Sequence, residues 1–200
     1  MKKVLLIGAS GTIGKAVAEE LGKRHQLITA GSKSGQHQVK IEDIASVQAL
    51  FEQVGKVDHV VVTAGGLHFG PLQEMTPEQF RVGLDSKLMG QVNVALVAQH
   101  HLNDGGSITL TSGSVAQNPI RFGANAITVN RAVEAFAEGA AVELQRGLRI
   151  NVVSPTLLTE SVPDYGPYFI GFETVPASRV ALGYARSVDG VENGKTYRVW

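Results

Sequence analysis

Three glycines close to the amino terminus have the spacing of a phosphate-binding turn. Gly8, Gly11 and Gly14 follow the apolar run Val4–Ile7 and lead into a stretch with helical character. In a strand–turn–helix context, the first glycine permits a tight turn, the second lets the backbone approach a pyrophosphate, and the third lets helix and strand pack closely. The start of the helix adds unpaired N–H groups and a partial positive charge. The pattern predicts a dinucleotide-binding loop; the alternative is a glycine-rich turn without a ligand. The residues predicted to contact the cofactor here are Gly8, Ser10, Gly11, Thr12, Ile13 and Gly14.

The residues after the second predicted strand bear on the choice of cofactor. An acidic residue at the end of that strand would bond the ribose 2′-OH and select NAD. Here the strand Gln26–Ala30 runs into Gly31, Ser32 and Lys33, and no carboxylate stands there. Ser32 can donate a hydrogen bond and Lys33 a positive charge to a 2′-phosphate. The sequence therefore favours NADP(H) over NAD(H), with an ordinary solvated loop lysine as the alternative for Lys33.

Composition excludes several classes of function. Lys and Arg number 18 and so do Asp and Glu, so the net charge is zero and nothing favours binding to nucleic acid or to an anionic membrane. The chain has no cysteine, hence no disulfide and no thiolate nucleophile, and its histidines suggest no metal site. The first apolar run is too short for a signal-peptide core or a membrane span. We expect a cytoplasmic protein.

Apolar runs alternate with helical stretches along the whole chain, which is typical of βαβ units around a parallel sheet. We expect one domain over residues 1–200, with Ser46 and Thr76 as helix caps and an aperiodic segment at 156–175 rich in Pro, Tyr and Phe. The predicted strands are Lys3–Ile7, Gln26–Ala30, His37–Ile41, Asp58–Thr63, Ser107–Thr111, Leu148–Val153 and Thr196–Trp200. The predicted helices are Thr12–Gly22, Ser46–Val54, Pro77–Leu84, Lys87–Leu102, Ala124–Gln145 and Pro176–Ser187, of which the third and fourth are adjacent or one broken helix.

Several segments together resemble the short-chain dehydrogenase/reductase family, and the resemblance covers nearly the whole chain. It implies an α/β fold: a single Rossmann-type doubly wound domain, whose seven-stranded parallel sheet has the order 3-2-1-4-5-6-7 with helices on both faces. The segments that carry it are the loop Gly8–Gly14, the NAG-type motif Thr63–Gly66 with threonine for asparagine, the strand end Arg149–Pro155, the helical run Ala132–Phe136 and the closing strand Gly194–Val199.

The resemblance also extends the predicted cofactor site. The run Glu42–Ile44 resembles the family's pair of an aspartate and an apolar residue beside the adenine. Asp43 is the better of its two acids; the alternative for Asp43 is a helix cap, and the two roles are compatible. Thr156 stands where a glycine is usual next to the nicotinamide. The further residues that the resemblance places at the cofactor are Ala64, Gly65, Gly66 and Pro155.

The catalytic residues of the family do not all carry over. The family transfers hydride with a tyrosine as general acid/base and a lysine four residues later that lowers the tyrosine pKa. Alignment on the AVEAF run at Ala132–Phe136 puts Ala126 at the tyrosine position and Asn130 at the lysine position. The usual proton donor is therefore absent. In this loss the chain resembles a small bacterial subgroup of the family that lacks the usual Tyr and Lys.

Other residues are candidates for the missing chemistry. Ser112, or less favourably Ser114, matches the family's serine on the fifth strand, with turn capping as the alternative. Lys87 falls at the family's asparagine position and could supply a cation from another wall of the cleft; the alternative is a solvent-facing lysine. His68 follows the Gly65–Gly66 turn and could move a proton near neutral pH, although a loop histidine is more often polar surface.

The segment 156–175 lies where the family has a substrate lid. Tyr165 and Tyr168 there could swing into the cleft or only cover the nicotinamide.

Helices 87–102 and 124–145 carry more apolar surface than one buried face needs, and the resemblance implies a homodimer or homotetramer through them, unless both bury against the sheet. Two functions remain open: an NADP(H)-dependent oxidoreductase with an atypical active site and an unknown small-molecule substrate, or a non-catalytic NADP(H)-binding protein.

Overall fold

The computed structural model describes all residues 1–200 and contains seven β-strands and seven α-helices. The strands are β1 (Lys3–Ile7), β2 (Gln26–Gly31), β3 (His37–Gln38), β4 (Val57–Val62), β5 (Leu102–Thr111), β6 (Arg149–Pro155) and β7 (Thr196–Val199). The helices are α1 (Thr12–Gly22), α2 (Ile44–Val54), α3 (Pro77–Val82), α4 (Gly90–His101), α5 (Ala124–Glu143), α6 (Val162–Tyr165) and α7 (Ala177–Asp189). None of the helices combines the length and the apolar composition needed to cross a bilayer.

The strands form one parallel sheet in the order β3-β2-β1-β4-β5-β6-β7, which confirms the predicted doubly wound α/β fold. Both faces of the sheet are covered. On β1, Leu5 and Ile7 belong to the core shared with α2, α4 and α5, whereas Val4 and Leu6 belong to the core shared with α1 and α7. A strand buried on both faces needs a continuous apolar run, which explains the composition of β1 and β4.

The structure corrects the prediction around β3 and α2. Residues 39–41 are not strand: only His37 and Gln38 pair with β2, which ends at Gly31 and makes its last hydrogen bond here with Val39 N. Helix α2 begins two residues before Ser46, and its cap is Asp43, whose Oδ1 accepts a hydrogen bond from Ala45 N at 3.0 Å. The hydroxyl of Ser46 instead accepts from Lys40 N.

The third and fourth predicted helices are one continuous element. Thr76 caps α3 in a reciprocal capping box with Gln79, as its position before Pro77 predicted. A π-helical segment, Gly83–Met89, then joins α3 to α4 without a break. Such segments recur at functional sites, and this one contains Lys87.

A buried pair of histidines connects four elements at the amino-terminal edge of the sheet. His25 Nε2 lies 2.8 Å from Asp189 Oδ1 at the end of α7, and His59 Nδ1 on β4 lies 2.8 Å from Ser107 Oγ on β5. The two rings meet edge to face with centroids 6.0 Å apart. Burial, assisted by the nearby positive charge of Lys2, lowers the pKa of His59 from 6.5 to about 4.

We expect the free energy of unfolding to fall as the pH decreases from 6.5 to about 4. In this range the unfolded chain takes up a proton at His59 and the folded protein does not, so acid favours unfolding, by about 3 kcal/mol at the lower limit. Urea denaturation across this range should show a shallower pH dependence for His59→Gln than for the wild type. His100→Gln, at an exposed position on α4, is the control, and equal slopes for all three proteins would contradict the assignment.

Candidate cofactor and active site

The glycine loop places the start of α1 directly against the ends of β1 and β4. A Cβ atom on Gly14 would lie 2.0 Å from the carbonyl oxygen of Gly8, so only glycine permits this contact. Gly8 has φ +94°, and its own Cβ would lie 2.8 Å from Thr63 Oγ1. Thr63 Oγ1 is in turn 3.1 Å from the carbonyl oxygens of Ile7 and Gly8, so its hydroxyl fastens the loop to β4.

The first turn of α1 is open to a ligand. Gly11 occupies the N-cap position, and no side chain caps the helix there. The first N–H groups of a helix have no partner inside the helix, and they carry a partial positive charge. These groups face the region between two crevices at the carboxyl edge of the sheet, which is where anionic groups of a dinucleotide bind in open α/β sheets.

The first crevice, of about 320 Å³, joins the glycine loop to the end of β2. It contains most of the residues predicted for the adenosine half of the cofactor, including both Ser32 and Lys33. Its lining comprises Ile7, Gly8, Ser10, Gly11, Gly31, Ser32, Lys33, Ser34, Val39, Ile41, Glu42, Thr63 and Ala64.

Asp43 and Ile44 do not line this crevice, contrary to the prediction. The carboxylate of Asp43 is used to cap α2, and the side chain of Ile44, 42% exposed, lies beside His100 and His101 on another surface. Ile41 and Glu42 occupy the expected place instead. The sequence reasoning preferred Asp43 to Glu42 and did not name Ile41, because it placed the end of β3 and the start of α2 too late.

Glu42 belongs to a short chain of hydrogen bonds at the rim of the first crevice. Its Oε1 accepts from Ser86 Oγ at 2.7 Å, and Ser86 Oγ accepts from Gly66 N at 2.9 Å. The carboxylate at this rim is therefore partly engaged by the protein itself, whereas the ammonium of Lys33 forms no salt bridge within the chain.

The second crevice, of about 300 Å³, lies at the carboxyl ends of β5 and β6. Segment 156–175 covers it with apolar and aromatic side chains. Tyr165 is among them, whereas Tyr168 stacks on Phe69 with a centroid distance of 5.1 Å and does not line the crevice. The lining comprises Ile13, Gly65, Gly66, Leu67, Phe69, Ser112, Gly113, Ser114, Val115, Asn130, Pro155, Thr156, Leu157, Leu158, Ser161, Tyr165 and Phe169.

The inner wall of the second crevice is polar. Ser112 Oγ donates to Glu134 Oε1 at 2.8 Å. Asn130 Nδ2 donates to the carbonyl oxygen of Ala126 at 2.7 Å, which leaves Asn130 Oδ1 buried without a partner. Ser114 Oγ is also buried without a partner. Unsatisfied polar atoms are uncommon in protein interiors, and these two belong to residues that line the second crevice.

Comparisons with known proteins agree with this geometry. Residues 12–167 match the family model described as enoyl-(acyl carrier protein) reductase. An uncharacterized oxidoreductase of Methylorubrum extorquens is 30% identical over 95% of this chain and 87% of its own length. The chain belongs to the short-chain dehydrogenase/reductase family. Several other curated relatives are longer, and the chain spans 58–67% of their length.

Two solved structures show how closely this family fold is kept. The protein lin1944 of Listeria innocua is 49% identical, with a TM-score of 0.99 and full coverage of both chains. A small-chain dehydrogenase described in complex with NADPH is 27% identical, with a TM-score of 0.88, and the match covers 99% of this chain and 96% of that one.

The two residues predicted to stand at the family's tyrosine and lysine positions lie on the inner face of α5. Ala126 and Asn130 are buried there one helical turn apart, and Glu134 follows one turn later. Glu134 was missed as a site residue by the sequence reasoning, although it stands within the AVEAF run. Glu134 follows Asn130 by four residues, which places both on one face of the helix, and this spacing could have identified it from the sequence.

Lys87, at the family's asparagine position, is buried rather than solvent-facing. Lys87 is 7% exposed, and its side chain packs against Gly65. The contact requires a glycine, because a Cβ at position 65 would lie 2.9 Å from Lys87 Cδ. Burial lowers the pKa of Lys87 to about 8. A lysine with this pKa can both give and accept a proton near neutral pH.

The structure does not bring His68 into the second crevice. Leu67 and Phe69 on either side line it, while the His68 ring lies against Gly70 and its backbone N–H donates to Asn125 Oδ1. In an extended segment successive side chains point in opposite directions, which turns His68 away from its neighbours. Thr12 and Gly14 belong to the glycine loop without lining either crevice.

We expect Gly14→Ala to destabilise the protein by about 2 kcal/mol or more, because the new Cβ overlaps the Gly8 carbonyl. Gly22→Ala on the same helix is the control. A Cβ at Gly22 meets only Leu27 Cδ1, at an ordinary 3.6 Å, so stability should be unchanged or higher by about 0.5–1 kcal/mol. Urea denaturation measures both, and a Gly14→Ala protein as stable as the control would show that the loop does not require the contact.

Proposed function

We propose that the protein is an NADP(H)-dependent oxidoreductase whose active site works without the tyrosine–lysine pair of its family. The observation that carries the proposal is the pair of crevices that flank the glycine loop, with Lys33 at one end and Ser112 at the other. The relatives described as oxidoreductases, and the structural neighbour described in complex with NADPH, support it.

The chain's own residues fit the cofactor in three places. The uncapped start of α1 at Gly11 suits the pyrophosphate. Ser32 and Lys33 suit a 2′-phosphate, because a lysine ammonium binds phosphate as a point charge and a serine hydroxyl adds a hydrogen bond. The second crevice suits the nicotinamide half, which supplies the hydride when the cofactor is bound.

Two groups of the protein are suited to assist the reaction. Ser112 presents a hydroxyl oxygen at the inner wall of the second crevice. Lys87, buried behind Gly65, carries a positive charge that no carboxylate neutralises through a salt bridge. A buried, unpaired cation next to a cleft stabilises developing negative charge on a substrate oxygen. We assign Ser112 to orienting the substrate oxygen and Lys87 to this electrostatic role.

A second candidate function follows from the residues at the family's tyrosine and lysine positions. Ala126 and Asn130 can neither donate nor accept a proton in a reaction near neutral pH, and general acid/base assistance is typically worth about 10²–10⁴ in rate. A protein that has lost this assistance can still hold NADP(H), and would then act as a sensor or through contacts with a partner.

Outside the two crevices, a further groove suggests self-association. It lies between α4 and α5, has a volume of about 330 Å³, and is mainly apolar. Leu96, 45% exposed, Ala135 and Phe136 are among its lining residues. Exposed apolar grooves of this kind mark interaction surfaces. We propose a homodimer or homotetramer formed through helices 87–102 and 124–145.

We expect NADPH to bind more tightly than NADH, and Lys33→Ala to weaken NADPH binding about 10- to 100-fold with little effect on NADH. The loss reflects the removal of one charge-assisted contact to a phosphate. Isothermal titration calorimetry measures the affinities of the wild type and of Lys33→Ala for both NADPH and NADH. Lys23→Ala, which removes an exposed lysine at the other end of α1, is the control. Equal affinities for the two cofactors would argue against the NADP(H) assignment, and no binding of either would refute the cofactor site.

Turnover and assembly separate the two candidate functions. An oxidoreductase should oxidise NADPH in the presence of at least one member of a panel of aldehydes, ketones and quinones. A non-catalytic protein should bind NADPH without turnover and change its assembly on binding, as measured by sedimentation velocity. The same runs test the oligomer, because Leu96→Asp should shift it towards monomer, whereas Val191→Asp, at an exposed residue outside the groove, should not.

A further inference from the structure

A buried carboxylate behind the inner wall of the second crevice has no ionic partner. Glu134 is 5% exposed, and neither of its oxygens forms a salt bridge. Ser112 Oγ donates to Oε1 at 2.8 Å, and Gln117 Nε2 donates to Oε2 at 2.5 Å. Glutamate is seldom buried in this way, because an ionised carboxylate loses much of its hydration. Two neutral hydrogen-bond donors, Ser112 and Gln117, hold the Glu134 carboxylate in place.

The direction of the hydrogen bond determines what Ser112 can offer a ligand. Its single proton points to Glu134, so the lone pairs of Oγ remain for the crevice. Because this proton is engaged by Glu134, the inner wall offers the ligand an acceptor at Ser112 Oγ, which suits the hydroxyl of an alcohol.

We propose that Ser112 and Glu134 form a proton relay that accepts the hydroxyl proton of an alcohol substrate. This rests on the proposed oxidoreductase function. As the alcohol loses hydride to the oxidised cofactor, its O–H proton passes to Ser112 Oγ while the Ser112 proton passes to Glu134 Oε1. The C–H and O–H bonds of the alcohol break, its C=O bond forms, and the carboxylate ends protonated. Reduction of a ketone runs through the same steps in reverse.

The elements around Glu134 bring no charged side chain into a salt bridge with it. The end of β5 and the turn at 114–116 contribute serine, glycine and apolar residues, and no charged side chain. The π-helical segment that packs against α5 contributes the buried Lys87, together with Asp85, which is exposed. On α5 itself, Arg131 and Glu138 point to solvent. Ser112 is thus the catalytic residue of the proposal, and Glu134 acts through it as a positioning residue that holds the proton.

Glu134→Gln is the conservative test of the relay. The new amide oxygen can still accept from Ser112, and Gln117 can turn its own unpaired Oε1 towards the new NH₂ group. Ser112→Ala removes the other member, and Glu138→Gln, an exposed carboxylate one turn further along α5, is the matched control. The probes are cyclohexanol, 1-phenylethanol and 1-tetralol with NADP⁺, and phenanthrenequinone with NADPH.

We expect Glu134→Gln and Ser112→Ala each to lower kcat about 100-fold or more. KM and the dissociation constant of NADPH should stay within about twofold of the wild type. The solvent deuterium isotope effect on kcat, which reports proton transfer during turnover, should change in Glu134→Gln and remain unchanged in Glu138→Gln. A purely structural role for Glu134 would leave this isotope effect as it is in the wild type.

The outcomes separate the relay from the function on which it rests. A Glu134→Gln enzyme with wild-type kcat and solvent isotope effect overturns the relay and leaves the oxidoreductase function standing. A wild type that binds NADPH but turns over none of the probes overturns both and favours the non-catalytic function. If Glu134→Gln no longer folds by circular dichroism, Ser112→Ala decides: a kcat within twofold of the wild type overturns the relay, and a 100-fold loss supports it.

Discussion

The backbone contact between Gly8 and Gly14 determines the geometry of the whole site. It allows α1 to start at the edge of the sheet, so that its unpaired N–H groups lie between the two crevices. Residues on one side of the loop, Ser10 and Gly11, line the first crevice, and Ile13 lines the second. Any side chain at Gly14 would push helix from strand and separate the two halves of the site. Thr63 holds the same loop from β4, which explains how threonine serves at a position where the family usually has asparagine.

A second constraint is electrostatic. Lys87 and Glu134 are both buried near the second crevice, and neither takes part in a salt bridge. Unpaired buried charges reduce stability, because desolvation is not offset by a partner. Ionisable groups buried beside a crevice are more common at functional sites than in the rest of a protein.

The fold and the chemistry of this family member are separable. The sheet order is kept, whereas Ala126 and Asn130 are the residues that the sequence predicts at the family's tyrosine and lysine positions. A fold positions a site but does not specify its reaction. Further along α5, Glu134 accepts a hydrogen bond from Ser112, and Lys87 is buried behind Gly65.

The sequence by itself determined the sheet, its order through the resemblance, and the cofactor loop. These depend on local patterns, namely apolar runs, glycine spacing and helix caps, which act over a few residues; the bounds of α1 and the cap at Thr76 were correct for this reason. Only the tertiary structure decided the role of individual polar side chains. Asp43 turned out to cap a helix, His68 turned away from the crevice, and Glu134 met Ser112 from 22 residues away along the chain. A shift of one or two residues in the end of a strand changes which side chain faces a cleft, and composition does not locate strand ends that closely. Contacts between distant segments leave no periodic pattern in the sequence, so spacing does not reveal them.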